Sequence, residues 1–173
     1  MKLIIDCDTG IDDSLALLYA LASPDAEVLA VTSTAGNIGA RQVATNNLAL
    51  LALCDRPDIE VALGREVPLV RPLMIAPETH GPRGVGYAEL PEPTQPLSTR
   101  HSADLIIEEA RRAPGEISLI TLGPLTNLAV ALVREPELPR LLRGLVMMAG
   151  SYRSAGNTAP TTEWNVAVDP EAM

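Results

Sequence analysis

The sequence predicts an α/β fold, with an open, mainly parallel sheet and helices on both of its faces. Two observations support this prediction. Short apolar runs alternate along the 173 residues with longer segments of helical composition, which is the order that parallel βα units produce. The hydrophobic fraction of 47% is large enough for a sizeable core. We therefore expect one α/β domain over residues 1–173.

The elements follow one another in a regular order. Apolar runs predict strands at 2–6, 27–33, 60–63, 117–122 and 144–149. Helical composition predicts helices at 12–22, 39–53, 99–112 and 124–134. Ser98 or Thr99 is the expected cap of the third helix, and Asp169-Pro170-Glu171 has the form of a further helix start. The long proline- and glycine-rich stretch from 64 to 97 is interpreted as an active-site loop region.

The composition excludes several kinds of partner. A formal net charge of -9 argues against binding to nucleic-acid backbones or to anionic membrane surfaces. The two cysteines, Cys7 and Cys54, lack the paired spacing of a metal site and are interpreted as reduced thiols. No basic leader precedes a long apolar core, and no apolar run reaches membrane-spanning length. We expect a cytoplasmic protein.

A cluster of acidic residues follows the first predicted strand. Asp6, Asp8, Asp12 and Asp13 place four carboxylates within eight residues. Capping a helix needs one carboxylate, so helix capping does not explain the other three. Four negative charges this close repel one another unless a cation or bound hydroxyl groups stabilise them. The cluster therefore indicates a ligand site.

Polar and glycine residues follow the other predicted strands as well. Asn37 lies after the second strand, 122–127 (Leu-Gly-Pro-Leu-Thr-Asn) after the fourth and Gly150 after the fifth. Because the carboxyl ends of parallel strands meet at one edge of a sheet, these residues converge with the acidic cluster. His80, in the 64–97 loop region, adds an imidazole to the same neighbourhood. The predicted result is a pocket lined with carboxylates, amides and tight backbone turns.

The same segments, in the same order, resemble a known family, the inosine-uridine preferring nucleoside hydrolases. The resemblance is carried by Asp6-Cys7-Asp8-Thr9-Gly10-Ile11-Asp12-Asp13, Ala35-Gly36-Asn37, His80-Gly81, Leu122-Gly123-Pro124-Leu125-Thr126-Asn127, Met148-Ala149-Gly150, Gly156-Asn157, Glu163-Trp164-Asn165 and Asp169-Pro170-Glu171-Ala172. It implies a Rossmann-like architecture, a homo-oligomer, and Ca²⁺-dependent hydrolysis of the N-glycosidic bond of ribonucleosides to ribose and free base. Calcium suits a site made of carboxylate, carbonyl and water oxygens.

The resemblance also implies a role for each site residue. Asp8, Asp13 and the main-chain carbonyl of Leu122 are the expected calcium ligands, and Asp8 is also the expected base for the attacking water. Asp6 is expected to lie behind the ligands and orient them. The expected substrate-binding residues are Asp12, Asn37, His80, Met148, Asn157, Glu163 and Asn165.

The resemblance covers all of this chain but only the first part of the family's longer chain. In the family, the later segment supplies a further aspartate ligand and, in many members, a histidine near the leaving base. We therefore expect the domain to be truncated at its C-terminal side, where it exposes apolar surface. Self-association, or completion by the missing C-terminal segment, would cover that surface.

The sequence leaves two other functions open. One is a non-catalytic module that binds ribose or calcium. The other is a phosphatase of the haloacid dehalogenase type, because an apolar strand followed by Asp-x-Asp also presents its aspartyl nucleophile and acid. In that pattern threonine or valine stands where this chain has Gly10. Such phosphatases also commonly use a downstream lysine, whereas Lys2 is the only lysine of this chain. A phosphate site calls for cations, whereas this cluster is anionic.

Overall fold

A computed structural model of the protein describes residues 1–173. The strands are Lys2–Cys7 (β1), Glu27–Ser33 (β2), Glu60–Leu63 (β3), Ile117–Thr121 (β4) and Gly144–Met147 (β5). The helices are Ile11–Ala22 (α1), Ala40–Leu53 (α2), Pro77–His80 (α3), Ser102–Arg112 (α4), Thr126–Arg134 (α5), Leu138–Leu141 (α6) and Trp164–Val168 (α7). All five predicted strands and all four predicted long helices are present.

The five strands form a single sheet in the order β3-β2-β1-β4-β5, and every neighbouring pair is parallel. β1 is the central strand, so the residues that follow it emerge between the ends of β2 and β4. In this register Asp6 lies opposite Thr32 on one side and Thr121 on the other. The predicted α/β class with a parallel sheet is therefore confirmed.

Alternate residues of β1 point to two separate parts of the core. Leu3 and Ile5 pack in a cluster with Leu17 of α1 and Leu51 of α2. Ile4 packs in a second cluster, whose other members include buried residues of α4 and α5. Because successive side chains of a strand point to opposite faces, helices cover both faces of the sheet, as predicted.

The start of α4 differs from the prediction. Neither Ser98 nor Thr99 caps this helix; His101 is the N-cap residue, and its Nδ1 accepts a hydrogen bond from Ala103 N at 3.1 Å. The reason is that the preceding segment runs along the end of β3, where Ser98 N donates to Val61 O at 2.8 Å. Pairing with a strand keeps these residues extended and delays the helix.

Asp169-Pro170-Glu171 forms a turn after α7. The carboxylate of Asp169 accepts hydrogen bonds from other segments and caps no helix of its own. The short helices α3, α6 and α7 were not predicted. Each has only four or five residues, too few for a helical periodicity to be recognised.

β5 is exposed on both faces. Leu145, Val146 and Met147 are 42%, 61% and 43% exposed, although their side chains alternate between the two sides of the sheet. This agrees with the expectation of exposed apolar surface on this side of the domain. None of the helices combines the length and the apolar character needed to cross a membrane.

Candidate active site

Asp8 lies at the centre of the site, directly after β1, and is completely buried. Its Oδ2 accepts a hydrogen bond from the backbone N–H of Asn37 at 2.7 Å. A Cβ on Gly36 would lie 2.1 Å from this Oδ2, and a Cβ on Gly123 would lie 2.9 Å from Oδ1. The loops after β2 and β4 therefore enclose Asp8 so closely that only glycine fits at both positions.

Asp13 lies beside Asp8 in the first turn of α1 and is also buried. Its Oδ2 accepts from the backbone N–H of Gly10 at 2.7 Å and from the side-chain amide of Asn37 at 3.3 Å. Gly10 is the N-cap residue of α1, so this contact satisfies one of the free N–H groups at the helix start. Asn37 thus holds both carboxylates, one through its backbone and one through its side chain.

The second oxygen of each carboxylate has no partner. Asp8 Oδ1 and Asp13 Oδ1 are buried and receive no hydrogen bond. Burial, together with the charge of Asp13, raises the pKa of Asp8 well above its usual range. Burial raises the pKa of Asp13 to about 6. Two buried carboxylates with free oxygens are electrostatically suited to a hard cation, which would favour their ionised forms.

A cavity of about 320 Å³ opens next to these carboxylates. Nine of the predicted site residues line it, and they are Asp12, Asp13, Asn37, His80, Leu122, Met148, Asn157, Glu163 and Asn165. No lysine or arginine is among the lining residues. Asp8 and Asp6 are fully buried and lie outside the lining. The anionic, cation-free lining argues against a phosphate group as the ligand.

Asn165 connects the ends of two strands to the start of α7. Its Nδ2 donates to the carbonyl oxygens of Leu122 at 2.6 Å and Met148 at 2.8 Å. The chain offers no hydrogen bond to its Oδ1, which leaves that acceptor available to a ligand. The Leu122 carbonyl has two lone pairs, so one remains after the Asn165 contact.

Glu163 and Asn157 organise the loop that carries them. Glu163 is the N-cap residue of α7 and accepts from the backbone N–H groups of Asn165 at 2.9 Å and Gly150 at 3.1 Å. Asn157 Oδ1 accepts from Trp164 N at 2.8 Å. Met148 is 45% exposed beside them. Glu163 and Asn157 therefore line the cavity and also fix the backbone at the start of α7.

His80 and Asp12 lie together at the start of α1. His80 Nδ1 accepts a hydrogen bond from Ile11 N at 3.2 Å, so the neutral imidazole carries its proton on Nε2. The same Nδ1 lies 3.8 Å from Asp12 Oδ1. Asp12 is largely exposed, unlike Asp13. The pair therefore gives the cavity an accessible carboxylate and an N–H donor.

Asp6 is completely buried and bonds to neither of the expected carboxylate ligands. Its Oδ1 accepts from Thr32 Oγ1 at 2.6 Å and from Asn127 Nδ2 at 2.8 Å, and burial raises its pKa to about 6. Asn127 also donates to Ser33 O and accepts from Arg65 N. It therefore connects the ends of β1 and β2 to the loop after β3, a role that sequence reasoning did not assign.

Some cavity residues were also missed. Ala76, Glu78, Thr79, Thr158 and Trp164 also line the cavity. Three of them lie at or next to α3, where Pro77 stands in the first turn. A proline followed by an acidic residue is a usual helix start and was the available signal for this element.

The sequence also matches known proteins along its whole length. Residues 3–173 match the sequence pattern of the inosine-uridine preferring nucleoside hydrolase family. Pyrimidine-specific ribonucleoside hydrolase RihA of Salmonella enteritidis is 41% identical over 172 residues, and Uridine nucleosidase 1 of Arabidopsis thaliana is 38% identical over 172 residues. The solved purine-preferring ribonucleoside hydrolase from Gardnerella vaginalis superimposes with a TM-score of 0.95 at 34% identity.

Each match covers 99% of this chain but a smaller share of the relative. That share is 55% of the Salmonella protein, 51% of the Arabidopsis protein and 56% of the Gardnerella structure. The chain therefore spans about half the length of the curated relatives it matches. The relatives are named for different bases, so similarity alone does not assign a base to this cavity.

Proposed function

The chain belongs to the inosine-uridine preferring nucleoside hydrolase family, and we propose that its cavity binds the ribose of a ribonucleoside and, with Ca²⁺, hydrolyses the N-glycosidic bond. The products are ribose and the free base. The observation that carries this proposal is the pair of partnerless, buried oxygens on Asp8 and Asp13 beside a cavity lined by carboxylates and amides.

In this proposal Asp8, Asp13 and the carbonyl of Leu122 hold the calcium ion. The fit rests on the two carboxylate oxygens that lack hydrogen-bond donors and on the remaining lone pair of the carbonyl. All three are oxygen ligands of the kind that calcium prefers. When bound, calcium supplies the positive charge that makes the attacking water more acidic.

Asp8 is the proposed general base. The hydrogen bond from Asn37 to its Oδ2 fixes the orientation of the carboxylate, which accepts the proton of the attacking water. The water oxygen forms a bond to the anomeric carbon of the ribose, and the bond from that carbon to the nucleobase nitrogen breaks. The electron pair of the broken bond leaves with the nucleobase.

Amides and carboxylates around the cavity bind the sugar. Asp12, Asn37 and Asn165 are proposed to hold ribose hydroxyls, since Asp12 and the Oδ1 of Asn165 are free acceptors. Glu163 and Asn157 are proposed to lie at the 5′-hydroxyl side, and Met148 against the sugar ring. The sugar acquires positive charge as the bond breaks, and the anionic lining would favour that state over the ground state.

His80 is the proposed contact for the leaving base. Its Nδ1 is occupied by Ile11, which leaves the Nε2–H as a donor beside the cavity. A departing base accumulates negative charge on nitrogen, and a hydrogen-bond donor stabilises that charge.

A second candidate function is ribose binding without turnover. The observation that favours it is the small number of ligands, two carboxylates and one carbonyl, that this chain supplies to the proposed calcium site. Two carboxylates and one carbonyl leave several of the six to eight calcium positions to water or to further residues. Weak calcium binding would leave the sugar-binding groups in place but reduce catalysis.

The proposal includes the cellular compartment of the protein and its association with other chains. Both cysteines are free, and burial raises the pKa of the Cys7 thiol above its usual range, so this thiol stays protonated. Free thiols fit a reducing compartment, and we propose the cytoplasm. We also propose that the chain self-associates, or pairs with a further polypeptide segment, through the exposed side at β5.

A reducing-sugar assay on inosine and uridine tests the proposed function. Hydrolysis by the wild-type protein in calcium, its loss in Asp8→Asn and its retention in Asp104→Asn would support it. Asp104→Asn is the matched control, because it makes the same aspartate-to-asparagine change outside the cavity. Asp104 lies on α4 and forms an ion pair with Arg134. Ribose binding without sugar release would favour the second candidate, and neither binding nor release would contradict both.

A further inference from the structure

The turn at Asp169-Pro170-Glu171 connects two segments that both line the cavity. The first segment leads from β3 to α3 and contributes Ala76, Glu78, Thr79 and His80 to the lining. The second is the start of α7, which contributes Glu163, Trp164 and Asn165. The two segments lie about a hundred residues apart in sequence, yet the turn bonds directly to the first of them. We refer to Asp169 and Glu171 with their partners Thr126, Leu69 and Arg71 as the latch.

Asp169 is the buried part of the latch. Only 1% of it is exposed, and its Oδ2 accepts from Thr126 Oγ1 at 2.7 Å and from Leu69 N at 3.0 Å. No side-chain cation pairs with it, and its Oδ1 has no hydrogen-bond partner. Each of these hydrogen bonds joins Asp169 to a residue of another segment, so together they hold Leu69 and Thr126 in place.

Glu171 and Arg71 form the exposed part. Arg71 Nε lies 3.0 Å from both oxygens of Glu171, and a further nitrogen completes the ion pair at 2.9 Å. Exposed ion pairs contribute little to stability. This contact therefore adds geometric definition to the latch, while Asp169 supplies most of its strength.

The latch is joined to the cavity at both ends by short, stiff connections. Asp169 ends α7, so five residues of helix separate it from Glu163 at the helix start. On the other side, Pro68 and Pro72 restrict the backbone around Leu69. Seven residues further on, Ala76 N donates to Asn37 O at 2.9 Å, next to the two site carboxylates. A displacement at Asp169 is thereby passed on to both lining segments.

We propose that Asp169 is a positioning residue, which acts through Leu69 and Thr126 to hold α3 and α7 at the separation that a sugar ring requires. The effect on sugar binding rests on the proposed function, whereas the mechanical connection of the two segments does not. Asp8 and Asp13 receive their hydrogen bonds from Asn37 and Gly10, which are not part of the latch, so loss of the latch should affect the sugar subsite more than these two carboxylates.

The test uses three variants and one control. Thr126→Val removes one donor at nearly constant shape, Asp169→Ala removes the carboxylate, and Asp169→Asn keeps one acceptor oxygen. Arg134→Gln breaks the surface ion pair with Asp104 and serves as the control. Trp164 is the only tryptophan of the chain and lies on α7, so its fluorescence reports on that side of the cavity without a label.

Thr126→Val and Asp169→Ala should increase hydrogen exchange at the Ala76 and His80 amides by about fivefold, the equivalent of one ordinary hydrogen bond. Both variants should also increase the quenching of Trp164 fluorescence by an added soluble quencher. Asp169→Asn and Arg134→Gln should remain close to wild type. In calorimetric titrations, ribose affinity should fall by about fivefold in the first two variants while calcium affinity changes by less than about twofold.

Unchanged exchange and quenching in Thr126→Val would overturn the proposal, and so would an equal loss of calcium and ribose affinity. If Asp169→Ala does not fold, Thr126→Val and Asp169→Asn decide the question. The exchange and fluorescence measurements need no ligand. A wild-type protein that binds no ribose would therefore count against the proposed function, while the latch would still be decided by those two measurements.

Discussion

The backbone N–H of Asn37 donates to Oδ2 of Asp8 at 2.7 Å, which fixes one carboxylate oxygen and leaves the other free. This contact joins the loop after β2 to the residue that follows β1. It depends on Gly36, because the loop reaches Asp8 only where no side chain intervenes. The chemistry of the site therefore rests on backbone geometry as much as on the acidic side chains.

Gly36→Ala should abolish calcium binding. Its Cβ would lie 2.1 Å from Asp8 Oδ2, so the loop or the carboxylate must move. Gly39→Ala is the matched control, since no atom lies within 4 Å of the Cβ position and the φ of -62° suits alanine. Calorimetry with calcium distinguishes the two variants. Normal binding by Gly36→Ala would show that the enclosure of Asp8 is not required.

Calcium should stabilise the folded protein, because the ion would bind the native site and not the unfolded chain. At a free concentration one hundred times the dissociation constant, the expected gain is about 2.7 kcal/mol. Thermal unfolding with calcium and with a chelator measures this gain. Asp13→Asn should remove most of it. A gain of equal size in Asp13→Asn would mean that calcium binds elsewhere.

Acid should weaken the contact between Glu60 and Arg100 near the start of α4. The hydrogen bond from Arg100 lowers the pKa of Glu60 below its ordinary value. A lowered folded-state pKa adds stability that is present above the unfolded-state pKa and is lost as the pH falls through the folded-state value. The difference in melting temperature between wild type and Arg100→Met should therefore shrink from pH 6 to pH 3.

The control for this prediction is Arg134→Met, which removes an exposed arginine from another ion pair. Thermal unfolding in chelator at both pH values measures the two variants under the same conditions. A difference between wild type and Arg100→Met that is the same at pH 6 and at pH 3 would contradict the assignment.

Self-association should depend on β5. Val146 is 61% exposed on this strand, and a lysine there would place charge in any interface that covers it. Val146→Lys should reduce association, whereas Tyr19→Lys on the outer side of α1, 78% exposed, should not. Sedimentation over a range of concentrations measures the effect. A wild-type monomer at every concentration would contradict the prediction.

The long helices were predictable because their apolar patterns extend over many residues, and the strands because each coincides with a continuous apolar run. The order β3-β2-β1-β4-β5 was not, since composition does not reveal which strands are neighbours. The start of α4 was misplaced because the cap position depends on a tertiary contact of Ser98 with β3. Local sequence carries no record of that contact.

The candidate site was predictable where chemistry and resemblance agreed. The sequence predicted that Asp13, Asn37 and Asn165 lie together, and in the structure they line one cavity, while Asp8 is buried and accepts a hydrogen bond from Asn37. The roles of Asn127 and Asp169 could not be anticipated, because each depends on bonds between segments far apart in the chain. Their roles remain tied to geometry that only the fold reveals.

The most direct test of the proposed site is a calorimetric titration of calcium, followed by ribose, into metal-free wild-type protein and into Asp13→Asn. We predict that the wild-type protein binds calcium and then ribose, and that Asp13→Asn loses calcium binding with its fold intact. Absence of calcium binding to the wild-type protein at millimolar metal would contradict the account.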